Sequence, residues 1–214
     1  MNADVIVLGA GMVGVSVALH LQQRGRAVVL IDRRGAGEET SYGNSGLIQR
    51  EGVIPYTFPR EFGAILSYGM NHRSDVVYHV SALPRIAPWL FRYWRNAAPE
   101  RIERSAQALV PLMAQCVEEH DALIAEAGDA ARTLVQHKGG IRCLRTEESL
   151  RQVVANARRL DQYGIDYAVL TGAQLRELGP HVSEKIIGAI HIRGSPTSSD
   201  PGMLTKAYAD LFAR

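Results

Sequence analysis

Val5-Ile6-Val7-Leu8-Gly9-Ala10-Gly11-Met12-Val13-Gly14 stands at the start of a 214-residue chain, and its reading decides the fold. Four apolar, mostly β-branched residues run into a glycine, the pattern of a parallel strand covered on both faces. A helix is predicted over 13–24. Val13, Val17 and Leu21 are spaced four apart along one stripe, Val15, Ala18 and Leu19 widen it, and Gly25 supplies the stop. Ala27 to Ile31 is a second apolar strand that ends at Asp32. Strand, glycine turn, helix and strand thus fit within about thirty residues, the length of a right-handed βαβ unit.

The pattern G-x-G-x-x-G is weak alone. Between a strand and a helix, with an acid closing the next strand, it predicts a dinucleotide site. Gly9 permits the tight turn, Gly11 lets backbone approach a diphosphate, and Gly14 lets the helix lie close to the sheet. The free N–H groups and the dipole of the helix start, from Ala10 through Met12 and Val13, face the negative charge. Asp32 is predicted to accept hydrogen bonds from the adenosine ribose. Arg33, counted with this site, and Arg34 follow it; a ribose 2′-phosphate is disfavoured because the carboxylate would repel it.

The rest of the chain widens this frame. Composition is that of a folded globular protein, 46% hydrophobic and 21% charged, with a net charge of +2 spread along the chain. Nothing resembles the concentrated basic stripe that nucleic acid requires, so no nucleic-acid partner is expected. Cys116 and Cys143 lie far apart, a usage that suits a reducing compartment. The N-terminus lacks the basic start of a signal peptide, and no run approaches the ~20 apolar residues of a membrane span. The expected location is the cytoplasm, with association to the inner face of the cell membrane left open. Histidines at 20, 72, 79, 120, 137, 181 and 191 show no metal-type spacing, and no metal is expected.

Residues 33–59 read mostly as loop. Helices are predicted near 60–70, at 83–96 and over roughly 100–127. Strands follow at 133–136 and 140–145, a helix from Thr146 to about Gln162 with an acidic start at Glu147 and Glu148, a strand at 166–170, a short helix at 171–178, a strand at 185–193, and a helix from Pro201 to Arg214. The fold class is therefore α/β at the start and α+β overall: a Rossmann-type βαβ with a second part of helices and a mostly antiparallel sheet. Two parallel strands do not complete a Rossmann sheet, and the expectation is a chain that is part of something longer.

The stretch Thr40-Ser41-Tyr42-Gly43-Asn44-Ser45-Gly46-Leu47 identifies the dinucleotide. It resembles the T-S-x-x-N-[AS]-G loop of FAD-dependent amino-acid and amine oxidoreductases, the family of D-amino-acid dehydrogenase, D-amino-acid oxidase, glycine oxidase and sarcosine oxidase. The resemblance implies FAD as cofactor, with contacts to its diphosphate and ring from Thr40, Ser41, Asn44, Ser45, Gly46 and Leu47. Small hydroxyl, amide and glycine groups suit such short-range hydrogen bonding. Weaker likenesses follow. Gly139-Gly140-Ile141-Arg142 resembles the family's G-G-x-L, although Arg142 replaces an apolar residue. Ser199-Asp200-Pro201-Gly202 resembles the return from the substrate part to the cofactor part. The implied domains are 1–58 (FAD-binding, incomplete), 59–200 (substrate part) and 201–214 (start of the return).

The resemblance also implies the reaction. Hydride leaves the α-carbon of a D-amino acid or related amine for the flavin, and the imine hydrolyses to an oxo acid and ammonia. The partners are the substrate and an electron acceptor, quinone or oxygen. No catalytic residue is nominated. Gln49 and Arg50 lie close enough to the loop to face a site, and Arg50 reads as a surface or phosphate-side arginine. A two-dinucleotide disulfide reductase is excluded, because residues 33–60 hold no cysteine. The aromatic and basic segment Leu83 to Arg95 is expected to pack its rings into a core or a partner, with a membrane-interface face as the second reading. A non-catalytic protein that retained a nucleotide-binding turn is the alternative function.

Overall fold

The structure, a computed structural model, describes residues 2–71 and 76–214, which leaves His72 outside. By contact it divides into two compact units, residues 1–51 with 113–214 and residues 52–112. The boundaries expected at 58 and 200 follow expected role and not contact. Contact divides the chain elsewhere because helices from beyond residue 113 build a core on the first helix.

In the first unit, β1 (Val5–Leu8) and β2 (Val28–Ile31) pair in parallel, Val5 opposite Val28 and Leu8 opposite Ile31, joined by α1 (Met12–Gln23). At its far end Gly25 takes a left-handed φ of +75°, and the Arg26 N–H reaches back to the Leu21 carbonyl. The side of α1 that carries Val15, Ala18 and Leu19 is buried, and Val15 and Leu19 share a core with residues of α5 (Cys116–Ala127), α6 (Asp129–Arg132) and α9 (Pro201–Phe212): Leu123, Ile124, Ala127, Ala131, Leu204 and Tyr208.

Two expectations change here. The stripe of Val13 and Val17 is exposed, so the core side of α1 is the one that carries Val15, Ala18 and Leu19, where α9 packs. Among the described residues the sheet is covered on one face only. Leu30 packs towards the core, whereas Ile6, Leu8, Val29 and Ile31 are exposed. Period-two burial follows directly from the alternation of side chains along a strand.

Three more strands form an antiparallel sheet in the order β4 (Gly140–Leu144), β6 (Gly188–Ile192), β5 (Tyr167–Thr171). The central β6 is the most buried, as a strand flanked on both edges should be. Two helices accompany this sheet. α7 (Glu147–Ala157) starts where the Thr146 hydroxyl accepts the Ser149 N–H, and a 3-10 turn over Arg158–Tyr163 ends the predicted helix early. α8 (Gly172–Leu178) starts with a capping box between Thr171 and Gln174. A pair too short to predict, β3 (Val135–Gln136) with β7 (Thr197–Ser198), completes the unit.

The second unit contains α2 (Phe62–Gly69), α3 (Leu83–Asn96) and most of α4 (Pro99–Ala114). The single long helix expected at 100–127 is broken at Gln115; α4 accommodates Pro111 and runs on to Ala114 before α5 starts at Cys116. The rings of α3 do not enter a core. None of its residues is buried; Trp89 is 61% and Phe91 59% exposed, and the aromatics pack on one another, with Phe91 and Trp94 stacked at 6.0 Å. No helix among the described residues is long and apolar enough to cross a membrane.

Candidate functional site

The glycine turn is held by its own hydrogen bonds. The Gly9 N–H donates to the Ile31 carbonyl at 2.7 Å, and the Ala10 N–H donates to Asp32 Oδ2 at 2.6 Å. Asp32 Oδ1 accepts the Arg34 N–H at 2.9 Å. These backbone donors, that of Ala10 first, hold the Asp32 carboxyl below the usual carboxylate range. The acid read as a ribose acceptor is thus first a latch that ties the turn to the end of β2. Its remaining lone pairs are still open to a hydroxyl.

Gly9 has φ +106°, a conformation that favours glycine. A Cβ on Gly14 would stand 1.8 Å from the Gly9 carbonyl oxygen and 3.6 Å from Val7 Cγ1. The close approach that requires glycine there is therefore within the turn, more than against the sheet. The first N–H groups of α1 lack helical partners; that of Met12 is taken by the Ser41 hydroxyl at 2.9 Å. Ser41 is buried, and through it the Thr40–Leu47 loop is pinned to the helix start.

The loop is then shaped from within. Asn44 Oδ1 accepts the Gly46 N–H at 2.8 Å, and its amide reaches the Ser41 carbonyl at 3.3 Å. Gly46 has φ +66°, and a Cβ there would lie 2.2 Å from the Ser198 carbonyl oxygen. The Ser198 N–H donates to the Gly46 carbonyl at 2.7 Å, and the Ile48 N–H to the Pro196 carbonyl at 2.9 Å, so the loop docks edge-on against β7. Beyond it, the Arg50 N–H and Glu51 Oε2 both meet the buried Ser195 hydroxyl, the carboxylate at 2.6 Å, and the Arg50 guanidinium lies 4.0 Å from Glu118.

A cavity of about 350 Å³ opens beside this loop. Of the residues predicted for the cofactor, Met12, Asn44, Gly46 and Leu47 line it. Gly9, Ala10, Gly11, Gly14, Asp32 and Ser41 form the adjoining turn. Thr40 and Ser45 are exposed on the loop, Val13 is exposed on α1, and Arg33 pairs with Glu39 at 3.0 Å on the surface. Gln49, expected to face a site, lines the cavity too, whereas Met113 at the end of α4, Cys116 and His120 on α5, Ser198 from β7, and Pro201, Leu204 and Thr205 from α9 were not anticipated. Cys116 and His120, four apart on α5, share one helix face, a signal the sequence carried but nothing tied to the loop. Burial pushes the Cys116 thiol up and the His120 imidazole down from their ordinary values.

The donor set fits a dinucleotide. A helix start with open N–H groups meets a glycine turn, and Ser198, which lines the cavity, has a buried hydroxyl with no hydrogen-bond partner among the described residues. The family model described as FAD dependent oxidoreductase (DAO) matches residues 4–214. The chain belongs to this FAD-dependent oxidoreductase family. A D-amino acid dehydrogenase of Methylobacterium sp. (strain 4-46) is 30% identical over 213 residues, 98% of this chain and 50% of that protein. One from Xanthobacter autotrophicus is 28% identical over 214 residues, with the same coverage. The chain spans about half the length of these curated relatives. Among solved structures, glycine oxidase from Geobacillus kaustophilus shares the fold with a TM-score of 0.63 at 20% identity, over 99% of this chain and 44% of that one. The FAD-bound L-alpha-glycerophosphate oxidase from Mycoplasma pneumoniae gives 0.53 at 19% identity, over 98% and 42%.

Proposed function

We propose that the protein containing this chain binds FAD and oxidatively deaminates a D-amino acid, or a related amine, to an oxo acid and ammonia. The single observation that carries this reading is the joining of the glycine turn, the Asp32 latch and the Thr40–Leu47 loop by Ser41 beside one cavity. The substrate class is supported by the curated relatives, which are D-amino acid dehydrogenases.

In this reading the turn formed by Gly9, Ala10, Gly11, Met12, Val13 and Gly14 brings the helix dipole and the N–H groups of Gly11, Val13 and Gly14 to the diphosphate, while those of Gly9, Ala10 and Met12 hold the turn itself. Asp32 holds the ribose with Arg33 beside it, and Thr40, Ser41, Asn44, Ser45, Gly46 and Leu47 run towards the ring end. Bound FAD supplies the two-electron chemistry by accepting hydride from the substrate α-carbon. The chain's own residues bind and orient; none is assigned as a proton carrier. By role, residues 1–58 belong to the cofactor part, 59–200 to the substrate part and 201–214 to the return. The proposed partners are the amine substrate and a quinone or oxygen as acceptor, in the cytoplasm. Contact with the inner membrane face is supported by the exposed Trp89 and Phe91 of α3.

The test uses the protein purified with all of its coding sequence. It should carry flavin absorbance and reduce an artificial electron acceptor when given D-alanine or another D-amino acid. A flavin-free protein that stays colourless when FAD is added would overturn the cofactor. Flavin without turnover of any D-amino acid or amine would overturn the substrate class and leave the cofactor standing.

A further inference from the structure

A hydrogen-bonded histidine–tyrosine pair sits where the hydrophobic core of the first unit meets the cavity. Tyr208, on α9, is fully buried among Val15, Leu123 and Leu204. Its hydroxyl lies 3.2 Å from the His120 carbonyl oxygen and 3.0 Å from His120 Nδ1. A hydroxyl has one proton, and a carbonyl oxygen can only accept. Both contacts are hydrogen bonds in one arrangement only: Tyr208 donates to the carbonyl, and Nδ1–H donates to the Tyr208 oxygen. In the neutral imidazole Nε2 then carries the lone pair. Burial favours the neutral imidazole of His120 over its charged form, with the nearby Asp121 acting in the opposite sense.

Nε2 has no hydrogen-bond partner among the described residues, and His120 lines the cavity. His120 is half-buried at the cavity wall, so its open acceptor is available to a donor that arrives in the cavity. Met12, at the diphosphate end of the proposed site, and Leu47, at the ring end, line the same cavity. Between diphosphate and ring, FAD carries a sugar-alcohol chain whose hydroxyls are the donors at hand.

We propose that His120 is a cofactor-binding residue whose Nε2 accepts a hydrogen bond from a hydroxyl of the sugar-alcohol chain of FAD, and that Tyr208 is a positioning residue that fixes the tautomer required. This rests on the FAD reading above and assigns to α5 and α9 a part in it that no sequence motif carries.

The test titrates FAD, and separately ADP, into the protein purified with all of its coding sequence and into its variants, read by flavin fluorescence and by calorimetry. His120→Leu should weaken FAD by about tenfold, the loss of one hydrogen bond with its acceptor, and leave ADP unchanged. His120→Gln, whose Oε1 can stand in for Nε2, should recover most of that loss. Nitrogen NMR of the free chain should show His120 protonated at Nδ1 and bare at Nε2, with the Nε2 resonance moving when FAD binds. Tyr208→Phe should mix the two tautomers and weaken FAD, again without effect on ADP. Normal FAD binding by His120→Leu, equal loss of FAD and ADP, or a proton on Nε2 would each overturn the proposal while the FAD reading stands. Failure of the unsubstituted whole protein to bind either nucleotide would overturn both.

Discussion

Gly46→Ala tests how the loop is held. The new Cβ would lie 2.2 Å from the Ser198 carbonyl oxygen, a backbone atom that no rotamer change can move. To reach an ordinary contact the loop and β7 must separate by about an ångström. That movement strains or breaks the bonds from Ser198 N–H to Gly46 and from Ile48 N–H to Pro196, each worth about 1 kcal/mol. The left-handed φ of +66° adds about 1 kcal/mol for a residue with a side chain. The total is about 3 kcal/mol, or a fall in Tm of about 6–12 °C for a chain of this size. Gly43→Ala is the matched control. It shares the left-handed φ, +69°, but its Cβ would meet nothing within 4 Å, so it should cost only about 1 kcal/mol. Thermal and urea unfolding followed by circular dichroism measure both. Equal losses for the two variants would refute the docking of the loop on β7.

Two further outcomes follow from local geometry. Asp200 caps α9 by accepting the Met203 N–H at 2.8 Å, so Asp200→Ala should lower stability by about 1 kcal/mol, with Asp200→Asn closer to unsubstituted; urea midpoints check this, and no change would remove the cap from the account. Asp32 has its carboxyl lowered from the ordinary 3.8 by the backbone donors of Ala10 and Arg34. Its contribution should be full above that value and lost as pH falls through the lowered one. The stability gap between the unsubstituted chain and Asp32→Asn, measured by urea midpoint against pH, should close in acid, and a gap independent of pH would contradict the latch.

The opening βαβ was legible because its signals are local: apolar runs, glycines at fixed spacing and an acid at a strand end. Thr146 as a helix start and the helix opening at Pro201 were readable for the same reason, since a cap is decided within four residues. What could not be read depended on distant partners. The choice between the Val13–Val17 stripe and the Val15–Leu19 side of α1 is made by α9, almost two hundred residues away. β7 is two residues long and exists through its pairing with Val135, Gln136 and Leu47. The loop's polar side chains were read as ligands for a cofactor, yet Ser41 and Asn44 first satisfy the chain's own backbone. His120 and Tyr208 lie 88 residues apart, and only the packing of α5 on α9 brings them to the cavity.

The most direct test of the diphosphate site at the start of α1 is FAD titration of Gly11→Val beside the unsubstituted chain. A Cβ at Gly11 meets only the Ser41 hydroxyl, at 3.3 Å, so the fold should survive while access to the helix-start N–H groups is lost. Saturable FAD binding by the unsubstituted chain, and none by a Gly11→Val chain with the same circular dichroism, is the predicted result. Equal affinity of the two would contradict it.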